Sequence, residues 1–129
     1  MKYFPVLLCV VPILCTAGET GSAQCELDGP QMQMNACAYE RYQKADAELN
    51  GLYKQQMARL GEVNGKRLRD SQRAWIAYKD KACLYEAGPA EGSGSIWGLA
   101  NYMCLVYFTK QRSEVLRRYI QCTQNGCPE

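Results

Sequence analysis

The sequence predicts an all-α fold, a small disulfide-stapled three-helix bundle that follows an N-terminal signal peptide. Three observations predict it. Apolar residues recur at three- and four-residue spacing through three long stretches, and no stretch alternates as a strand would. Short glycine-containing segments separate the stretches, and short connections place successive helices antiparallel. The chain has eight cysteines in 129 residues and no histidine, and its domain size leaves a thin core for which cross-links are the usual supplement.

Met1–Ala23 has the form of an export leader. Lys2 supplies a positive start, Phe4–Cys15 is a compact apolar run, and small residues follow. The run is shorter than the roughly 20 apolar residues that a spanning helix needs, so no stable membrane insertion is expected. Small-x-small cleavage points end at Ala17 and at Ala23; with Ala23 as the boundary, residues 24–129 form one helical domain. Lipidation requires a small residue directly before the cysteine, whereas Leu14 precedes Cys15 and Gln24 precedes Cys25.

The first helix is expected from about Gln31, just after the Gly29-Pro30 break, to Leu60. Met34, Ala38, Tyr42, Ala45, Leu49, Leu52, Gln56 and Leu60 make its apolar stripe. Gly51 interrupts the pattern at a cost of about 1 kcal/mol, for which close packing is the one reason at hand. Gly61–Gly65 is expected to be a turn in which Asn64 caps the second helix, about Lys66–Glu86. Within that helix the run Asp70–Cys83 is expected to organise the rest of the chain. Leu68, Gln72, Trp75, Ile76, Lys79, Ala82 and Cys83 share one side of it, with two polar residues inside the apolar stripe. Buried polar groups need partners, so other helices should meet this face.

Gly88–Ser95 is a glycine- and serine-rich loop, with Ser93 or Ser95 available to cap the third helix, about Ile96–Thr123. Cys104, Leu105, Phe108, Arg112, Val115, Leu116, Tyr119 and Cys122 lie along one side of that helix. Its first half is apolar nearly all round and is expected to be the most buried piece. Gln124–Glu129 is a short polar tail.

With Cys9 and Cys15 removed in the leader, an even set remains in a small exported domain, which implies a disulfide framework. The layout favours Cys83–Cys104, which would hold both ends of the Gly88–Ser95 loop. Cys25 can fold back on Cys37 across the Gly29-Pro30 bend. That leaves Cys122–Cys127, although either member could instead staple the N-terminal arm. No C-x-x-C pair and no histidine is present, so no metal site and no cofactor are expected.

The lack of histidine removes the usual general base and the Ser-His-Asp and Cys-His systems, and no phosphate-cradling glycine loop follows a strand. Enzymatic activity is not expected. The net charge is +2, and the Lys66, Arg67, Arg69, Arg73 cluster is a solvated helix face rather than a nucleic-acid stripe. Two groups of polar residues merit placement. Asp46, Asn50, Gln72, Lys79, Asp80, Thr109 and Arg112 are expected to form a structural network between helices, with Arg112 held by Asp46 or Asp80. Glu86, Glu91, Ser93, Ser95 and Trp97 make the partner-binding candidate, because a loop clamped at both ends loses little entropy on binding.

Three motifs occur in order: M-N-A-C-A at residues 34–38, K-A-D-A-E-L-N-G-L-Y at 44–53 and L-R-D-S-Q-R-A-W-I-A-Y-K-D-K-A-C at 68–83. With Gly92–Ser95, Cys104, Thr109, Arg112 and Leu116, they resemble the LprI-like lysozyme inhibitor family over nearly the whole exported chain. Two departures are Lys79, where the family usually has arginine, and the added pair Cys122 and Cys127. Lysine lacks the fork that pairs bidentately with a carboxylate. The resemblance implies an exported, non-catalytic protein, periplasmic or secreted, whose partner is a lysozyme or related muramidase. The Gly88–Ser95 loop would enter the target's cleft, with Glu86 or Glu91 on cationic groups and Trp97 at the rim. The alternatives are an immunity protein against a secreted bacterial toxin and an envelope structural or stress protein without an enzyme target.

Overall fold

Proline at position 30 has no amide proton to lose and a backbone angle already suited to a helix start. Its carbonyl accepts from the amides of Gln33 at 2.9 Å and Met34 at 3.0 Å, which opens the first helix. The computed structural model describes residues 25–128, and the expected leader, residues 1–23, lies outside them. Three helices account for most of the described chain: α1 Gln31–Met57, α2 Glu62–Ala87 and α3 Trp97–Gln121, with no strand among the described residues.

The second helix begins a full turn earlier than the sequence suggests. Gly61, not Asn64, precedes it, and the Gly65 amide bonds to the Gly61 carbonyl at 2.8 Å, so the expected turn is already helical. Glu62 in the first turn complements the helix dipole. Asn64 is released from capping and instead accepts from the Arg67 guanidinium at 2.9 Å. Gly51 has open space around it, so close packing does not explain that glycine.

Neither Ser93 nor Ser95 caps α3 through its side chain. The cap comes from another helix. The Leu99 amide donates to Asn35 Oδ1 at 3.0 Å, and Asn35 Nδ2 donates to the Ser95 carbonyl at 2.9 Å. A Cβ at Gly98 would stand 3.0 Å from the Asn35 side chain, so glycine lets the two helix starts meet. Asn35→Ala removes both bonds and exposes no apolar surface, and it is expected to cost about 2 kcal/mol. A thermal melt checks this. Asn35→Asp, which keeps the acceptor for Leu99, should recover part of the loss, and an unchanged melt for Asn35→Ala would leave the clamp without a role.

These contacts join α1 and α3 start to start, and Arg59 reaches the Ile120 carbonyl at their other ends, so the two run parallel with α2 antiparallel to both. The most extensive packing is between α1 and α3, and α2 leans chiefly on α3. The hub of the bundle is therefore α3 rather than the Asp70–Cys83 run. Small buried residues explain the close pair: Ala38 and Ala45 on α1, Thr109 and Ser113 on α3. Leu49, Leu68 and Leu116 form the core centre, flanked by Leu52, Tyr53, Met57, Leu60, Trp75 and Tyr119. The first half of α3 is less enclosed than its composition implies, with Tyr107 exposed and Ile96 exposed just before the helix.

Three disulfides tie this frame: Cys25–Cys37, Cys83–Cys104 and Cys122–Cys127, with Cα separations of 5.2, 5.6 and 5.7 Å. Arg41 steadies the N-terminal arm by donating to the Cys25 carbonyl at 2.8 Å.

Candidate functional site

Helix α2 stops because Gly88 takes a left-handed backbone angle, φ +72°, while its amide still bonds to the Leu84 carbonyl at 3.0 Å. Any side chain there would be strained, and a Cβ would also lie 3.1 Å from Ser93 Oγ. The chain then crosses residues 88–96 to α3. One turn before that loop and two turns after it, Cys83 and Cys104 close the disulfide, and both are buried.

Inside this frame the loop is held by polar contacts. The Trp97 indole N–H donates to the Gly88 carbonyl at 3.0 Å, which joins the loop's end to its beginning. The Ser93 hydroxyl donates to the Pro89 carbonyl, and the Ser95 carbonyl receives Asn35. Trp97 is half-buried and stands 6.4 Å from the Tyr102 ring. It supports the loop from beneath more than it projects from it. With Cys83, Leu84, Gly88 and Leu105 it lines a cleft of about 340 Å3.

What projects is different. Tyr85 is 91% exposed and Leu84 57% exposed, next to Glu86, and Glu91 is exposed on the loop. Neither glutamate has an ion-pair partner among the described residues. Tyr85 is not among the residues that loop composition and spacing single out. The one signal for it was its place opposite the apolar stripe of α2, where an aromatic has no core to fill.

Charge is distributed along the bundle axis. Glu26, Asp28, Glu86 and Glu91 lie at the end with the loop. Arg59, Lys66, Arg67, Arg69, Arg73, Arg117 and Arg118 lie toward the other. Arg41 and Lys81 offset part of the first group, and Glu48, Glu62, Asp70 and Glu114 offset part of the second. The small net charge thus conceals a loop end that leans acidic and an opposite end that leans basic.

Of the seven polar residues expected to form one network, Gln72 and Arg112 bond across helices, and the others lie apart from that pair. Asp46 accepts from Asn50 at 2.9 Å on an exposed edge of α1. Lys79 is buried, with Nζ 3.3 Å from Asp80 and 5.6 and 5.5 Å from the ring centroids of Tyr42 and Trp75. Its compact ammonium fits between two aromatic faces. Thr109 is fully buried, and its hydroxyl has no hydrogen-bond partner among the described residues. Arg112 meets neither Asp46 nor Asp80. Its Nε donates to Gln72 Oε1 at 2.9 Å and its other arm to the Ser71 hydroxyl at 3.2 Å. The carboxylates are engaged elsewhere, Asp46 by Asn50 and Asp80 by Lys79, which leaves a neutral amide to receive the guanidinium. Burial lowers the Arg112 pKa from its ordinary value, and the neighbouring Tyr119 opposes that shift.

Among the described residues no group of three Cys, Asp or Glu side chains is placed to hold a metal, and no helix is long and apolar enough to cross a membrane. The family model described as "Lysozyme inhibitor LprI" matches residues 22–116. An uncharacterized protein of Rhizobium meliloti (strain 1021) is 31% identical over 130 residues, covering 88% of this chain and 93% of the relative. No solved structure matches the chain.

Proposed function

The chain belongs to the lysozyme inhibitor LprI family, and on that premise we propose that it is an exported, non-catalytic protein that binds and inhibits a lysozyme-type peptidoglycan hydrolase. The observation that carries the reading is the loop end of the bundle. A disulfide, an indole hydrogen bond and a helix-to-helix asparagine clamp hold residues 83–104, and an exposed tyrosine and two glutamates without an ion pair among the described residues stand on that rigid base. Rigid presentation reduces the entropy lost on binding, and aromatic anchors commonly dominate interface energy.

The acidic pole suits a basic partner. Lysozymes of the animal type are usually basic, and association is steered by the charge facing the partner more than by the net charge of the whole chain. Tyr85 and Leu84 would pack at the mouth of the substrate cleft, Glu86 and Glu91 would meet its basic rim, and polysaccharide would be excluded. The three disulfides support an oxidising compartment, periplasmic or secreted.

The test is hydrolysis of cell-wall polysaccharide by an animal-type lysozyme with the purified, oxidised protein in stoichiometric excess. Loss of most of the activity is the expected result. Undiminished hydrolysis removes that class of enzyme as the target.

A further inference from the structure

At the basic pole, away from the loop, a cleft of about 460 Å3 opens between the C-terminal end of α1, the N-terminal end of α2 and the tail. Leu60, Leu68 and Pro128 give it an apolar side; Arg67, Ser71 and Tyr119 give it a polar one. Its size is that of a small-molecule pocket. The tail closes one edge, where Gln56 Nε2 donates to the Pro128 carbonyl at 3.1 Å.

Behind the polar side lies a charge without a counter-charge. Arg112 is only 9% exposed, and among the described residues it forms no ion pair. Its partners, Gln72 and Ser71, are neutral. Buried guanidinium groups are ordinarily paired with a carboxylate, since the desolvation cost is otherwise uncompensated. Ser71 accepts from Arg112, which leaves its own proton free to donate into the cleft. Arg67, on the same wall, donates to the neutral Asn64 at 2.9 Å and likewise forms no ion pair among the described residues.

We infer that this cleft binds a small organic carboxylate, about the size of an N-acylated amino acid, with its carboxylate toward Arg67 and the Ser71–Arg112 pair and its apolar body on Leu60, Leu68 and Pro128. The inference goes beyond lysozyme inhibition and does not depend on it, because the cleft and the loop lie at opposite ends of the bundle. The carboxylate supplies the negative charge that the arginines lack. The ligand's apolar part explains why half the wall carries no polar group.

The test titrates the 15N-labelled, disulfide-intact exported chain with N-acetylalanine and, separately, with its neutral amide N-acetylalaninamide. Saturable shifts at the backbone amides around Ser71 and Tyr119 are expected for the acid, with the amide bound about tenfold more weakly or worse. Arg112→Gln risks the fold, so exposed Arg67 provides the second variant: Arg67→Gln should weaken the acid about tenfold while leaving the rest of the spectrum in place. Absence of saturation, equal binding of acid and amide, or an Arg67→Gln titration identical to the parent's would each overturn the assignment.

Discussion

Replacing Cys83 and Cys104 together by alanine is expected to lower stability by about 3 kcal/mol, through the extra freedom of the unfolded chain. For a domain of this size that is a fall in melting temperature on the order of 10–20 °C. The bond closes a separation of 21 residues and joins α2 to α3, which pack less extensively than α1 and α3. Both sulfurs are buried, so the alanines add a small cavity cost on top. The comparison is the Cys122→Ala/Cys127→Ala pair, which removes a separation of only 5 residues beyond the end of α3. Loop length alone makes that loss about 1 kcal/mol smaller. The hairpin also lies outside the helices, so its release disturbs little packing. Urea titrations of the two variants give the ordering directly. Equal midpoints would mean that the Cys83–Cys104 bond does not clamp the bundle, and the loop's rigidity would then need another source.

The same contrast shows how far the residues alone carry the fold. Most of the stripe on α2 was legible, including Gln72 and Lys79, because burial at helical spacing follows from periodicity whatever the side-chain chemistry. Ile76, expected on the same side, is instead 43% exposed, because α2 packs chiefly on one neighbour and its stripe is covered only in part. Helix existence was legible for the same reason. The role of α3 as hub was not. Periodicity picks out one stripe per helix, and α3 buries a second, with Val106, Thr109 and Ser113 among its residues. Thr109 is expected between helices from its position, but Ser113 is small and polar and looks like a surface residue until a neighbouring helix comes close. The partner of Arg112 was equally hidden. Carboxylates are the expected receivers, but their assignment depends on rotation of α1 and α2 that spacing does not determine.

The loop illustrates the same limit at the candidate site. Its boundaries and anchoring cysteines can be read from glycine content and helix layout. Which aromatic faces solvent cannot. Trp97 starts α3 and turns beneath the loop because its N–H finds the Gly88 carbonyl. Tyr85 lies on the outer side of α2, where no helix covers it. Asn35 shows a different kind of gap, since a cap supplied from 64 residues away leaves no local signature.

On the proposed function, Tyr85→Ala is expected to weaken inhibition of a lysozyme-type enzyme about 30-fold without altering the melt, the size of effect seen when a central aromatic anchor is truncated. At 91% exposure the ring stabilises almost nothing in the free protein, so its loss should appear only in the complex. The glutamates act differently. Glu86→Lys with Glu91→Lys should slow association severalfold at low salt, and the defect should shrink as salt screens the field over about 10 Å or less. The basic pole provides the opposing measurement. Arg69→Glu removes positive charge far from the loop and should leave the inhibited complex as tight, with association by a basic enzyme unchanged or faster. Inhibition kinetics across a salt series therefore report which pole faces the enzyme. If Tyr85→Ala and the double charge reversal inhibit like the parent while Arg69→Glu does not, the target sits on the basic end, and the disulfide-clamped loop has no part in binding it.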